Sequence, residues 1–122
     1  MKSKKIFLSI ITVTKNDRIG LFATARSVKK IYETVNSNSS EIEWIVKSGD
    51  VSSANNNLYA ELLKITQFSF KLIIETDNGI YDAMNRAVTE ANGLYIIFMN
   101  SGDEFEYPGA VYFLLKSLQA LS

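Results

Sequence analysis

The chain has 122 residues, 47% hydrophobic and 21% charged, with 13 Lys plus Arg balancing 13 Asp plus Glu. That describes one domain of ordinary globular composition, and zero net charge gives no electrostatic reason to expect nucleic acid or an anionic membrane as partner. With neither Cys nor His, thiolate nucleophiles, disulfides, thiolate zinc sites, Ser-His-Asp triads and imidazole ligands are all excluded. Any metal must be held by oxygen, which favours Mg²⁺, Mn²⁺ or Ca²⁺. Proton transfer falls to carboxylates, Lys or Tyr.

The longest apolar runs are about six residues, far short of a membrane span. The lysine-rich start followed by Ile6-Phe7-Leu8 imitates a signal peptide. Ser9, Thr12 and Thr14 interrupt that run, however, and no small-residue cleavage site follows. A cytoplasmic first strand over residues 6–14 is expected instead, apolar enough on both faces for a parallel, doubly covered sheet.

Lys15-Asn16-Asp17 reads as a turn, with Asp17 as helix N-cap. Leu21, Phe22, Ala25, Val28, Tyr32 and Val35 then recur at helical spacing. A polar loop at 36–40 leads to a second strand at 42–47, which contains Trp44. Residues 48–57 form a long Ser/Gly/Asn/Asp-rich connection, and loops of that length in compact domains are often functional. Leu58, Leu62 and Ile65 suggest a short second helix, and residues 70–75 a third strand. Ile80, Ala83, Met84, Ala87, Val88 and Ala91 make the cleanest helical stripe of the chain, expected in the core and closed by Asn92-Gly93 as C-cap. Asp82 and Arg86 are placed to pair across one turn, a contact of roughly 0.3 to 0.5 kcal/mol.

Residues 94–99 are an unbroken apolar run and are expected to form a buried fourth strand. It stops at Asn100-Ser101-Gly102-Asp103, which is either good turn chemistry or a ligand loop. Pro108 fits a helix first turn, with Val111, Leu114, Leu115, Leu118 and Leu121 on the helix's apolar face. Strand–helix alternation through four units argues an α/β fold with a mostly parallel sheet and helices on both faces. Ligands of such sheets bind beyond the carboxyl ends of the strands. The four loops there, at 14–16, 48–50, 76–79 and 100–103, are all small and polar. Asp103 is the best metal candidate, since a cation that bridges phosphates takes one or two protein carboxylates. Glu104 and Glu106 are either outer-shell groups or solvated. The backbone N–H groups at Asn78-Gly79, before a helix start, suit an anion only weakly as a signal. No Walker-type loop and no Gly-x-Gly-x-x-Gly occurs.

Three segments together resemble the family 2 glycosyltransferases, which have a GT-A, Rossmann-like nucleotide-diphospho-sugar transferase fold, and this implies a three-layer α/β sandwich with a mostly parallel sheet of approximate order 3-2-1-4. They are residues 9–16, then Glu43-Trp44-Ile45-Val46, then 77–85 running on to Gly93 and 100–103. The run Gly79-Ile80-Tyr81-Asp82-Ala83-Met84-Asn85 is similar to the bacterial polysaccharide-biosynthesis type.

The resemblance implies inverting transfer of a sugar from a nucleotide-diphosphate sugar to a saccharide or lipid-linked saccharide acceptor. Residues 1–122 would be a single donor-binding domain, the N-terminal half of such an enzyme, with the general base beyond residue 122 and the whole a cytoplasmic protein that could form a homodimer. Thr14, Asn16, Ser48, Asp77, Asn100, Ser101 and Gly102 would bind the nucleotide sugar, and Asp103 would hold Mg²⁺ or Mn²⁺. The chain departs from the family pattern at Lys15, where Tyr is common, at Ser48 and Ser53, where Asp is usual, and at Asn78, where Lys often stands. A non-catalytic binding or oligomerisation module is the alternative reading. A receiver-type signalling domain would need an acidic pair after the first strand, where this chain has Thr14-Lys15-Asn16.

Overall fold

The computed structural model describes residues 6–35, 41–52, 57–104 and 108–121. Its elements follow the expected order: β1 (Leu8–Thr14), α1 (Arg18–Val35), β2 (Ile42–Ser48), α2 (Leu58–Thr66), β3 (Lys71–Ile74), α3 (Ile80–Val88), β4 (Tyr95–Phe98) and α4 (Pro108–Leu121). The four strands form one parallel sheet ordered β3-β2-β1-β4. The loop at 36–40, Ser53 and Glu106 lie outside the described residues.

β1 sits second from one edge, paired along its whole length with β2 and over its first half with β4. Its β-branched and apolar residues are buried on both faces, as is usual for a strand inside a parallel sheet. On one face Leu8, Ile10, Trp44 and Val46 pack against Leu21, Ala25, Val28 and Ile31 of α1, Leu58 and Leu62 of α2, and Val111 and Leu115 of α4. The fully buried Trp44 anchors this layer, and its indole N–H donates to the Thr12 hydroxyl at 2.9 Å. Tyr32 stacks on Phe68 with ring centroids 3.8 Å apart and donates to the Ile42 carbonyl, while burial raises its hydroxyl pKa. The other face is thinner. Ile11, Val13 and Ile45 meet only Ala83 and Ala87 as buried partners, with Ile73, Met84 and Ala91 partly covered.

That asymmetry corrects two expectations. The run at 94–99 is not a buried strand, because β4 is the edge of the described sheet. Ile96 and Phe98 lie in register with Ser9 and Ile11 on the thin side and are both 37% exposed, and of the run Met99 alone is buried. The α3 stripe is likewise only half core. Ile80 and Val88 are exposed because no described element packs beside α3 over β4. α3 also ends earlier than Asn92-Gly93 suggested. Its regular bonding stops at Val88, and tighter turns follow, with Glu90 N–H to Ala87 and Ala91 N–H to Val88.

Gly93 therefore has a different job from capping. Its N–H donates to the Ser9 hydroxyl at 2.9 Å, and a Cβ there would lie 2.5 Å from that oxygen and 2.7 Å from the Ser9 nitrogen. The Ser9 hydroxyl in turn donates to Glu43, whose carboxylate also takes the Asn92 N–H. Gly93→Ala is expected to destabilise the protein by about 1–3 kcal/mol through overpacking against β1. Urea denaturation reads this directly, and an unchanged midpoint would refute it.

Candidate functional site

All four strands end on the same side of the sheet, so their following loops converge there. The centre is the end of β1. Thr14 accepts the Gly49 N–H at its carbonyl, which ties the loop after β2 to the loop after β1. Asn16 then adopts φ 55°, a left-handed conformation that Asn tolerates better than most residues. Asp17 caps α1 as expected, its carboxylate accepting the Gly20 N–H at 3.0 Å.

A cavity of about 320 Å³ opens beside this turn, lined by Thr14, Asn16, Asp17, Arg18, Leu21, Ser48, Asp50 and Leu58. Its size is that of a small-ligand pocket. Of the sequence-expected site residues, Thr14, Asn16 and Ser48 meet here. Asp50 was not singled out beforehand. Its carboxylate accepts the Ser52 N–H at 3.0 Å, which holds its pKa below the usual carboxylate range. Arg18 is part of the lining, ion-paired with Glu61 and with its guanidinium 5.9 Å from the centre of the Phe22 ring.

Asp77 lies on the other side of Thr14, in a separate cavity of about 160 Å³ shared with Val13, Lys15, Gly79, Ile80 and Ala83. Its carboxylate is occupied on both oxygens. Oδ2 accepts from Lys47 Nζ at 3.0 Å and Oδ1 from the Gly79 N–H at 3.1 Å. Lys47 projects from β2 on the α3 side, its side chain fully buried, and also donates to the Glu75 carbonyl at 2.6 Å. A buried lysine needs such a set of acceptors to stay charged. The Lys47 hydrogen bond is the main cause that lowers the Asp77 pKa. Nearby, Asp82 accepts the Asn78 N–H and pairs with Arg86 as expected, both contacts lowering its pKa.

The loop after β4 touches neither cavity directly. Asp103 N–H donates to the Asn100 carbonyl at 2.8 Å, closing a four-residue turn, and Gly102 at the third position has φ 95°, as in a type II turn. The Ser101 hydroxyl donates to Asp17, at 2.9 Å to its carboxylate. Asp17 is a wall of the larger cavity, so Asn100, Ser101, Gly102 and Asp103 hang beside it. Asp103 turns Oδ2 back to the Asn100 N–H at 2.9 Å and keeps an exposed carboxylate. Asn100 Oδ1 is buried without a partner. Among the described residues no three acidic side chains cluster as a metal cage. At this turn Asp103 offers a carboxylate, with Glu104 exposed beside it.

No protein-family model matches the chain. It is 32% identical over 116 residues to an uncharacterised glycosyltransferase of Mycobacterium tuberculosis, found alike in two strains, and this stretch is 94% of the chain. The chain spans 40% of the length of these curated relatives. Among solved structures it superposes on the mannosyltransferase of Pyrobaculum calidifontis, in complex with GDP-Man and Mn²⁺, with a TM-score of 0.70 and 13% identity. That match covers 90% of this chain and 31% of the other. It also superposes on TarS of S. aureus, with a TM-score of 0.57 and 16% identity over 87% of this chain and 19% of the other. In sequence and in fold, then, the chain is glycosyltransferase-like. No helix among the described residues is long and apolar enough to cross a membrane.

The Lys47–Asp77 pair carries a pH signature. A carboxylate whose folded pKa is depressed contributes stability that is complete above its unfolded value of about 3.9 and lost as pH falls through the folded value. Asp77→Asn should therefore flatten the acid limb of the stability curve below about pH 4. It should also cost about 3 kcal/mol at neutral pH, because the buried Lys47 loses its counter-charge. Chemical denaturation of both proteins across the pH range would check this, and parallel acid limbs would contradict it.

Proposed function

We propose that this chain is the donor-binding part of a family 2 glycosyltransferase of polysaccharide type, a single domain over residues 1–122. In this reading it holds a nucleotide-diphosphate sugar for inverting transfer to a saccharide or lipid-linked saccharide acceptor. The observation that carries the reading is the shared wall. Asp17 lines the larger cavity and also accepts from Ser101, so a nucleoside-sized pocket and the exposed Asp103 carboxylate stand side by side at the strand ends.

Thr14, Asn16, Ser48 and Asp50 supply the polar groups that orient the nucleoside in that cavity. Asp77 serves the donor site from behind, by keeping the Gly79 N–H and the start of α3 in place. Lys15 and Arg18 set positive charge on either side of β1 for an anionic diphosphate. Asp103 presents the carboxylate for Mg²⁺ or Mn²⁺, and Asn100, Ser101 and Gly102 shape its turn. When bound, the divalent cation offsets charge on the departing nucleoside diphosphate. The general base for the acceptor hydroxyl belongs to the part of the enzyme outside residues 1–122. The reading includes a cytoplasmic location and a homodimer, for which the uncharged apolar edge of β4 is the supporting surface.

Isothermal titration with UDP, GDP and dTDP sugars, with and without Mn²⁺, tests the reading. One of them is expected to bind, more tightly by about tenfold or more with Mn²⁺, a gain of at least 1.4 kcal/mol, and Asp103→Ala should erase that gain. No binding by any of them would defeat the proposal and leave a non-catalytic module.

A further inference from the structure

The buried face of α1 contains two polar residues, Thr24 and Ser27, of which Thr24 is the more deeply buried. Thr24 is completely buried, yet it lies two turns into a helix whose other buried positions include Leu21, Ala25 and Val28. Its hydroxyl points out of the helix and into the loop after β4. It accepts the Gly102 N–H at 3.1 Å and donates to the Asp103 carbonyl at 2.7 Å, with the Asn100 carbonyl at 3.3 Å as a weaker second acceptor. One side chain thus grips both ends of the turn that carries the Asp103 carboxylate.

A helical threonine ordinarily satisfies its hydroxyl on its own helix, at the carbonyl three or four residues back. Thr34 does so, donating to the Lys30 carbonyl. Thr24 instead spends its hydrogen bonds on a loop 78 residues away in sequence. The turn has other ties, Gly102 N–H to the Gly20 carbonyl and Ser101 N–H to the Val13 carbonyl. Neither of these reaches the backbone of Asp103. Within the turn Asp103 is held by its N–H to the Asn100 carbonyl and by its Oδ2 to the Asn100 N–H. The Thr24 contact ties the Asp103 backbone to α1 and so sets where the whole turn, carboxylate included, sits on the helix.

We propose that Thr24 is a positioning residue for cation binding: its buried hydroxyl fixes the Asn100–Asp103 turn on α1 and so places the Asp103 carboxylate. The inference rests on the donor-site reading above and is separable from it. Without the hydroxyl, the turn keeps its fold but Asp103 loses its fixed starting point. Cation-dependent binding then suffers, while the nucleoside cavity, built by β1, β2 and the start of α1, is untouched.

The test uses Thr24→Val, which keeps the shape and removes the hydroxyl, with Thr24→Ser as the rescue. Thr24→Ala serves as a second deletion should the valine variant fail to fold. Titration with the best-bound nucleotide sugar is run with and without Mn²⁺, and amide hydrogen exchange at Ser101 and Gly102 is measured without ligand. Thr24→Val should lose roughly tenfold or more of the Mn²⁺-dependent gain, keep the metal-free affinity, and exchange faster at Gly102. Thr24→Ser should stay close to the parent in all three. A folded valine or alanine variant with the full Mn²⁺ gain would overturn the inference alone. An equal loss with and without Mn²⁺ would also overturn it, since that marks a merely structural role. A parent protein with no Mn²⁺-dependent binding would overturn the donor-site reading and this inference with it.

Discussion

The pairing of β1 on both sides is the constraint from which the rest follows. A strand hydrogen-bonded to β2 and β4 and covered on both faces has no freedom in register, because a one-residue slip would exchange its two buried faces. Its end at Thr14 is thereby fixed, and the loops after β2 and β4 are tied to it, while the loop after β3 is tied to β2 at Lys47 and Ser48. Gly49 bonds to Thr14, Ser101 to Val13, and Asp17, three residues beyond Thr14, meets Ser101. The candidate site is the place where these dependencies meet.

Two polar ties complete it from opposite faces of the sheet, and burial decides how much each weighs. The solvent-screened pairs of Arg86 with Asp82 and Glu75, and the longer Lys71–Glu43 contact at 3.7 Å, add little in water. Lys47 and Asp77 are different because their side chains are 0% and 5% exposed. An unpaired charge there would cost several kcal/mol, so the loop after β3 is held far more firmly than any surface pair could hold it. On the other face the hydroxyl of Thr24 holds the loop after β4 with neutral hydrogen bonds. Such bonds are individually modest.

The layers are unequal, and this governs the exposed surface. α1, α2 and α4 cover one face, whereas α3 alone covers part of the other. β3 carries Lys71 at the sheet's far edge, followed by Glu75, and charges of this kind discourage edge-to-edge association. β4 carries none, and its apolar residues are over a third exposed at Tyr95, Ile96 and Phe98. The relatives extend well past the matched length, with this chain spanning 40% of theirs.

Much of this was legible in the residues alone. Periods of two and of three to four, together with the cap at Asp17 and the turn residues, are local signals, and they yielded the element order and a mostly parallel sheet, while the 3-2-1-4 order came with the family resemblance. Local chemistry also marked Thr14, Asn16, Ser48 and the Asn100–Asp103 turn, since small polar residues after apolar strands are visible without a fold. What local signals lack is a neighbour. The run at 94–99 read as buried because apolar content reports what a strand can cover, while its coverage depends on whether anything packs beside it. Lys47 looked like an ordinary strand residue and Thr24 like a tolerated one in a helix. Their partners lie about thirty and about eighty residues away, at distances no periodicity encodes, and only the closing of the sheet around β1 brought them into contact.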